Sequence, residues 1–243
     1  MNDVKKIFFY SLTVTLFLFQ SLSCSKKSSS AASSSGCKIV SATLSGTTGT
    51  GSIDFSYNGD GKIASIVSNL STGATTRSFT YSGNVVMIST TTGGSSAVTT
   101  DSIVVNSDGL MLSDIIRSPT DVSFLIYNYS GTEVTSETTT DSNTPVVTVN
   151  FTFTNGDFDG FPQSNEVFAY NNKASEQGDY FQFGQLLGTG VPWIKCAHQA
   201  VSISAGAITE SITYTYDNSG KITQMQIFGG GQTATYAYTY QCD

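Results

Sequence analysis

Ile53, Phe55 and Tyr57 alternate with Ser52, Asp54 and Ser56, and the chain then passes through Asn58-Gly59-Asp60-Gly61 into Lys62 and Ile63. A period of two places apolar side chains on one face of a strand and polar ones on the other. The Asx and Gly residues that follow bond the backbone locally and accept positive φ, so the chain reverses. One such unit is an antiparallel hairpin. The same order returns at Phe79 and Tyr81 before Ser82-Gly83-Asn84, and at Val105 before Asn106-Ser107-Asp108-Gly109. It returns again at Tyr127 and Tyr129 before Ser130-Gly131, and at Phe151 and Phe153 before Asn155-Gly156-Asp157. The cleanest copy runs from Thr213 to Ile227, where Tyr214 and Tyr216 precede Asp217-Asn218-Ser219-Gly220. Tyr57, Tyr81 and Val105 are each 24 residues apart, and Tyr127 lies 22 further on. A period in the twenties holds two strands and two turns, so each repeat is a hairpin.

These signals predict an all-β fold of roughly 12 to 14 short strands, and no long stretch carries a helical period. An open sheet of more than about 10 strands curls or splits, and its bare edges invite association. The expected architecture is therefore an antiparallel hairpin-repeat sheet curled into a barrel or half-barrel, with a two-sheet sandwich as the alternative. The alternating runs fall short of the roughly 9–11 residues a membrane-crossing strand needs, so the apolar face is expected to point inward. A barrel of this size is wider than its own side chains can fill. It must be flattened, plugged by inserted chain, or occupied by a ligand. The segment from Asn171 to Gly206 breaks the hairpin rhythm and carries Tyr180, Phe181, Phe183, Leu186, Leu187, the only Trp (Trp193) and the only His (His198). Two readings follow: a plug that completes the core, or the lining of a ligand mouth with Tyr180, Phe181, Phe183 and Trp193 as contacts.

The amino terminus adds a second kind of information. Lys5 and Lys6 precede a thirteen-residue, mostly apolar run from Ile7 to Phe19, shorter than the about 20 residues of a membrane-spanning helix and suited to a signal peptide. It leads to Cys24 in Ser21-Leu22-Ser23-Cys24. This resembles a bacterial lipoprotein signal, although Leu22 stands one place nearer the cysteine than in the usual pattern. The resemblance implies cleavage after residue 23 and acylation of Cys24, and more than one acyl chain anchors a protein stably to a bilayer. Ser25 to Gly36 is a Ser-rich tether with nothing to bury. The expected organisation is a signal peptide over 1–23, a tether over 24–36, and a single β domain over 37–243. Lys26 and Lys27 stand where Bacteroidetes surface-export signals carry acidic residues, so the leaflet is left open within an expected outer-membrane location.

Charge narrows the partners. The chain is net −7, and without Lys5, Lys6 and Asp3 it holds 9 basic and 17 acidic residues. That balance opposes nucleic-acid binding, which needs clustered Lys and Arg. Beyond Cys24 the cysteines are Cys37, Cys196 and Cys242, and in an oxidising envelope three thiols suggest one bridge. Cys37 opens the first strand and Cys242 closes the last, so in a curled sheet a Cys37–Cys242 bridge would staple the seam. Pairing of Cys196 with either, or no bridge, are the alternatives.

Little points to catalysis. His198 has no readable triad around it, and Asp and Glu are expected mainly in turns or on polar strand faces. The expectation is a non-enzymatic protein without a cofactor. One metal pattern is present: Asn155, Asp157, Asp159, Gly160 and Glu166 occupy positions 1, 3, 5, 6 and 12 of a Ca²⁺-binding loop. Asn at position 1, Pro162 and flanking β-runs favour a simple turn there.

Tyr214-Thr215-Tyr216-Asp217-Asn218-Ser219-Gly220-Lys221-Ile222 resembles the YD-repeat hairpin of Rhs-type proteins, and Phe55 to Ile63 is a second copy. The chain from Cys24 to Cys242 resembles a family of uncharacterised Bacteroidetes lipoproteins with a porin-like β domain. That resemblance is carried by the lipoprotein start, Cys37-Lys38-Ile39, the tyrosine/Gly hairpins, Tyr170-Asn171-Asn172-Lys173 and the closing Tyr236-Ala237-Tyr238-Thr239-Tyr240-Gln241-Cys242. It implies a barrel-like fold and supplies no activity. The functional expectation is a lipid-anchored envelope protein acting as an interaction or structural scaffold, with a binding module for an apolar or glycan ligand as the alternative.

Overall fold

A computed structural model describes residues 36–242 except 96, 142 and 143; the signal peptide, Cys24 and nearly all of the tether lie outside the described residues. The strands are β1 (Cys37–Gly46), β2 (Gly51–Tyr57), β3 (Ile63–Leu70), β4 (Gly73–Ser82), β5 (Val85–Thr92), β6 (Val98–Val105), β7 (Met111–Arg117), β8 (Val122–Ser130) and β9 (Glu133–Asp141). They continue as β10 (Thr144–Asn150), β11 (Phe153–Thr154), β12 (Asp157–Phe158), β13 (Gly160–Phe161), β14 (Glu166–Ala174), β15 (His198–Ala205), β16 (Ile208–Tyr216), β17 (Ile222–Gly229) and β18 (Gln232–Cys242). One helix, α1 (Tyr180–Gly188), lies between β14 and β15.

Sixteen strands form one antiparallel sheet in the order β10 to β1, then β18 down to β13. The first and last strands meet in its middle, with Ala42 opposite Tyr238 and Cys37 opposite Cys242. The ladder does not close, because β10 and β13 are its two ends. The hairpin β11–β12 lies between them in sequence, turning through Asn155 (φ 56°) and Gly156 (φ 83°), the left-handed pair that a two-residue hairpin requires. Backbone bonds from Phe151 N–H to Thr135 O (2.9 Å) and Phe168 N–H to Asp159 O (3.2 Å) tie this region to both flanks. The sheet is thus curled rather than split into a sandwich.

The strand number exceeds the expected 12 to 14. Thr- and Ser-rich runs extend several of the strands, as in β5, which ends Thr90-Thr91-Thr92, and β9, with Thr138-Thr139-Thr140. Their β-branched threonines suit a sheet without extending the apolar alternation. Three more strands are only two residues long.

The repeat has a physical basis at one end of the sheet. Tyr57 Oη donates to Ile39 O (2.7 Å), Tyr81 to Ile63 O (2.9 Å), Tyr129 to Met111 O (2.6 Å) and Tyr240 to Ile222 O (2.7 Å), each across 18 residues. In three of these the preceding lysine lies over the same ring: Lys38 on Tyr57 (5.4 Å), Lys62 on Tyr81 (4.9 Å) and Lys221 on Tyr240 (5.5 Å). Each tyrosine ends an even-numbered strand and satisfies a carbonyl at the start of the strand before it. The added cation–π contact contributes on the order of 0.5–1 kcal/mol at a partly exposed site.

The inserted segment fills the curled sheet. Asp179 caps α1, accepting from Gln182 N–H (2.8 Å), Glu176 N–H (2.9 Å) and Ser175 Oγ (2.6 Å). Burial raises its carboxyl to about 6 against the pull of those bonds. Buried Gln185 then joins the helix to the following loop, donating to Phe181 O (3.1 Å) and accepting from Trp193 N–H (3.1 Å). The helix itself was not expected. Its signal, Asp179 followed three residues later by Gln182, is that of a capped N-terminus, but nine residues give too short a period to stand out.

Candidate ligand cavity

The inner face is apolar. Ile39, Ile53, Ile66, Ile88, Ile103, Ile212 and Ile222 are all buried there. The outer face is mainly polar, with Asp54, Ser56, Ser78, Thr80, Ser89, Thr213, Thr215 and Thr239, and it also exposes Met87, Phe124, Ile126, Val167 and Phe228. An apolar interior is the opposite of the polar lumen of a membrane-crossing barrel.

α1 does not fill all the space it enters. A cavity of about 200 Å³ remains between it and the wall of β2–β4 and β17–β18. Ile53, Leu70, Phe183, Leu187, Met225 and Tyr236 give it apolar walls, and it reaches the exposed Thr72, Gly73 and Thr92. Those residues stand at the end of the sheet opposite Cys37 and Cys242, since β3 begins beside the tyrosine-capped end and finishes at Leu70. Arg77 is the charged residue in the lining. It is inward on β4, in phase with Phe79, and its Nη1 donates to Leu187 O at the end of α1. Gly184 also faces the cavity, and a Cβ placed there would meet nothing within 4 Å.

The four aromatic residues expected at a ligand mouth divide. Tyr180 and Phe183 line the cavity. Phe181 packs on Phe168 (5.0 Å between centroids), and Trp193 packs on Tyr127 (4.6 Å) and Phe151 (5.7 Å). Those two belong to the plug rather than to the cavity.

The Ca²⁺-loop residues are put to other uses. Asn155 makes the β11–β12 turn, Asp159 links hairpin to flanks by its backbone, and Glu166 sits in β14 opposite Phe161. Both oxygens of Asp157 are engaged by His198, one by its N–H (2.8 Å) and the other by Nδ1 (2.7 Å). The stretch is a hairpin latched to β15, and no metal-holding cluster occurs among the described residues. A disulfide joins Cys37 to Cys242, and Cys196 is a buried free thiol.

Carboxylates do not keep to turns and polar faces. Asp101 on β6 and Asp114 on β7 are 7% and 1% exposed and face inward, and one oxygen of each has no hydrogen-bond partner. Burial raises Asp101 to about 6, against the charge of Arg77, and raises Asp114 to about 7, with the charge of Asp101 adding to it. Neither these nor Arg77 and Gly184 were singled out from sequence. The available signal is a charge in phase with apolar residues: Arg77 with Phe79, Asp101 with Ile103, Asp114 with Ile116.

No family model and no curated protein matches the chain. Solved structures do. A porin-like protein from Bacteroides uniformis aligns over 84% of this chain and 96% of its own, at 13% identity and a TM-score of 0.56. A porin-like protein from Bacteroides vulgatus aligns over 84% and 98%, at 12% identity and a TM-score of 0.51. The chain shares the porin-like fold. At such identity the likeness concerns the path of the backbone.

Proposed function

We propose that this protein is a non-enzymatic, lipid-anchored envelope protein, held to the outer membrane through Cys24, whose porin-like domain binds a small apolar ligand beneath α1. The observation that carries the reading is the cavity with Gly184 in its wall. A glycine inside a helix is less favourable than alanine by roughly 0.5–1 kcal/mol, and no neighbouring atom requires one here. Its effect is to keep the cavity open. The apolar lining favours an apolar ligand over a glycan, and the lipoprotein signal, the hydroxyl-rich outer face and the porin-like neighbours agree with an envelope location.

Native mass spectrometry of the domain from Cys37 onward, with and without 1-octanol, tests the reading. The wild type should carry a bound small molecule or take up octanol. Gly184→Leu should fill the space, lose that binding, and unfold at equal or higher temperature. A wild type that binds neither sinks the proposal.

A scaffold role is the second reading, favoured by β10. It ends the ladder with Val146 and Val147 63% and 54% exposed, and a bare edge strand of this kind accepts an extended segment from a partner. A photo-crosslinker at position 146 should then trap a protein partner in intact cells; a crosslink pattern identical to that of a probe at Thr80 argues against it.

A further inference from the structure

The guanidinium of Arg77 has Asp101 in its electrostatic surroundings but no carboxylate in direct contact. Arg77 takes part in neither of the close contacts His198–Asp157 and Lys221–Asp217. Asp101 acts on it electrostatically yet forms no ion pair with it, and Asp101 Oδ1 is buried without a partner. A guanidinium presents five N–H donors in a planar fork, and its one hydrogen bond here goes to Leu187 O. Burial in an apolar wall disfavours the charged form. The side chain is therefore held in a setting that an incoming anion would improve.

The rest of the cavity describes the remainder of the ligand. Phe183, Leu187, Met225 and Tyr236 surround the space with carbon. At about 200 Å³ it is larger than an apolar cavity of roughly 150 Å³ that admits benzene, and it has room for a single ring or a short alkyl chain. Thr72, Thr75 and Thr92 bring hydroxyls to the exposed side.

We propose that the cavity takes a small amphipathic monocarboxylate, with its apolar body against Phe183, Leu187 and Met225 and its carboxylate paired with Arg77. This rests on the binding reading above and adds the headgroup. A carboxylate matches the guanidinium fork with two parallel bonds, which neither an alcohol nor an amine does. The cationic analogue would meet a like charge in a wall of low polarity.

Titration calorimetry with octanoate, 1-octanol and octylammonium separates the two claims. Octanoate should bind wild type at least about ten-fold more tightly than octanol, as charge-assisted hydrogen bonds imply, and octylammonium most weakly. Arg77→Gln should weaken octanoate by about ten-fold or more and leave octanol within about two-fold; Gly184→Leu should abolish both. If octanol equals octanoate in wild type, the anionic headgroup is wrong while the apolar-ligand reading stands. If none of the three binds wild type, both fall. Should Arg77→Gln not fold, Arg77→Lys supplies the comparison: it keeps the charge and loses the fork, so an octanoate affinity unchanged in that variant overturns the paired geometry. The ranking of the three ligands in wild type needs no variant.

Discussion

Replacing Cys37 and Cys242 together by serine should lower the unfolding free energy by about 3–5 kcal/mol. The bridge joins residues 205 apart, nearly the whole described domain. For a loop of that length the chain-entropy relation gives about 5 kcal/mol at 25 °C; residual structure in the unfolded chain reduces it. The position sharpens the expectation. Cys37 and Cys242 are opposed in register at the start of the β1–β18 ladder, where the two chain ends would otherwise fray. Ile39 O, two residues in, accepts the Tyr57 hydroxyl, and Tyr240 bonds Ile222 O, so fraying would also disturb the caps of both neighbouring hairpins. Cys196 offers no substitute partner, being buried beside Tyr170 on the far side of the insertion. Urea denaturation of the oxidised, reduced and double-serine proteins measures the effect. Identical midpoints for the three would show that the seam holds without the bridge.

How much of this could be read from the chain depends on the kind of signal. Hairpins were legible because a turn such as Asp217-Asn218-Ser219-Gly220 and a Tyr-x-Tyr strand both announce themselves over a few residues. The wide interior, to be flattened, plugged or occupied, followed from strand count alone, and the interruption at Asn171 to Gly206 offered a candidate plug. What could not be read is whatever depends on which side of a strand meets what. Arg77 lies in Thr-Thr-Arg-Ser-Phe and looks like a surface charge until the register pairs it with Thr90 and turns it toward α1. Asp157 stands at a spacing from Asn155 and Asp159 that fits a cation-loop pattern, and the sequence offers no other partner for it. Its actual partner, His198, is 41 residues away and comes near only when β15 lines up beside β14. Gly184 is silent in sequence, since a glycine in an irregular insertion suggests a turn. Only the empty space beside it makes its presence in a helix informative.

The protein should be most stable on the acid side of neutrality, and Asp114→Asn should remove much of that dependence. Asp114 and Asp101 are diagonal neighbours on one face, Asp114 opposite Ile103 and Asp101 opposite Ile116. In the unfolded chain each titrates near about 3.9; in the fold they rise to about 7 and about 6, burial being the first cause in both. A carboxyl raised by folding binds its proton more tightly in the native state. Its contribution is therefore fully present below about pH 4 and is lost as pH climbs through 6 and 7. Taken singly, the two rises correspond to at most about 4 kcal/mol for Asp114 and about 3 kcal/mol for Asp101; being coupled, the pair yields less than their sum between pH 4 and pH 8. Glu137 on β9 and the Asp179 cap are also raised by burial, so they act in the same direction. Asp217, lowered by Ser219 in its exposed turn, acts in the opposite one. Urea midpoints at pH 5 and pH 8 provide the measurement. Wild type should lose stability between them, and Asp114→Asn should lose less and exceed wild type at pH 8. Asp217 titrates below that window, so a wild-type stability that stays level or rises from pH 5 to pH 8 would mean that Asp114 meets water or a cation that relieves its burial.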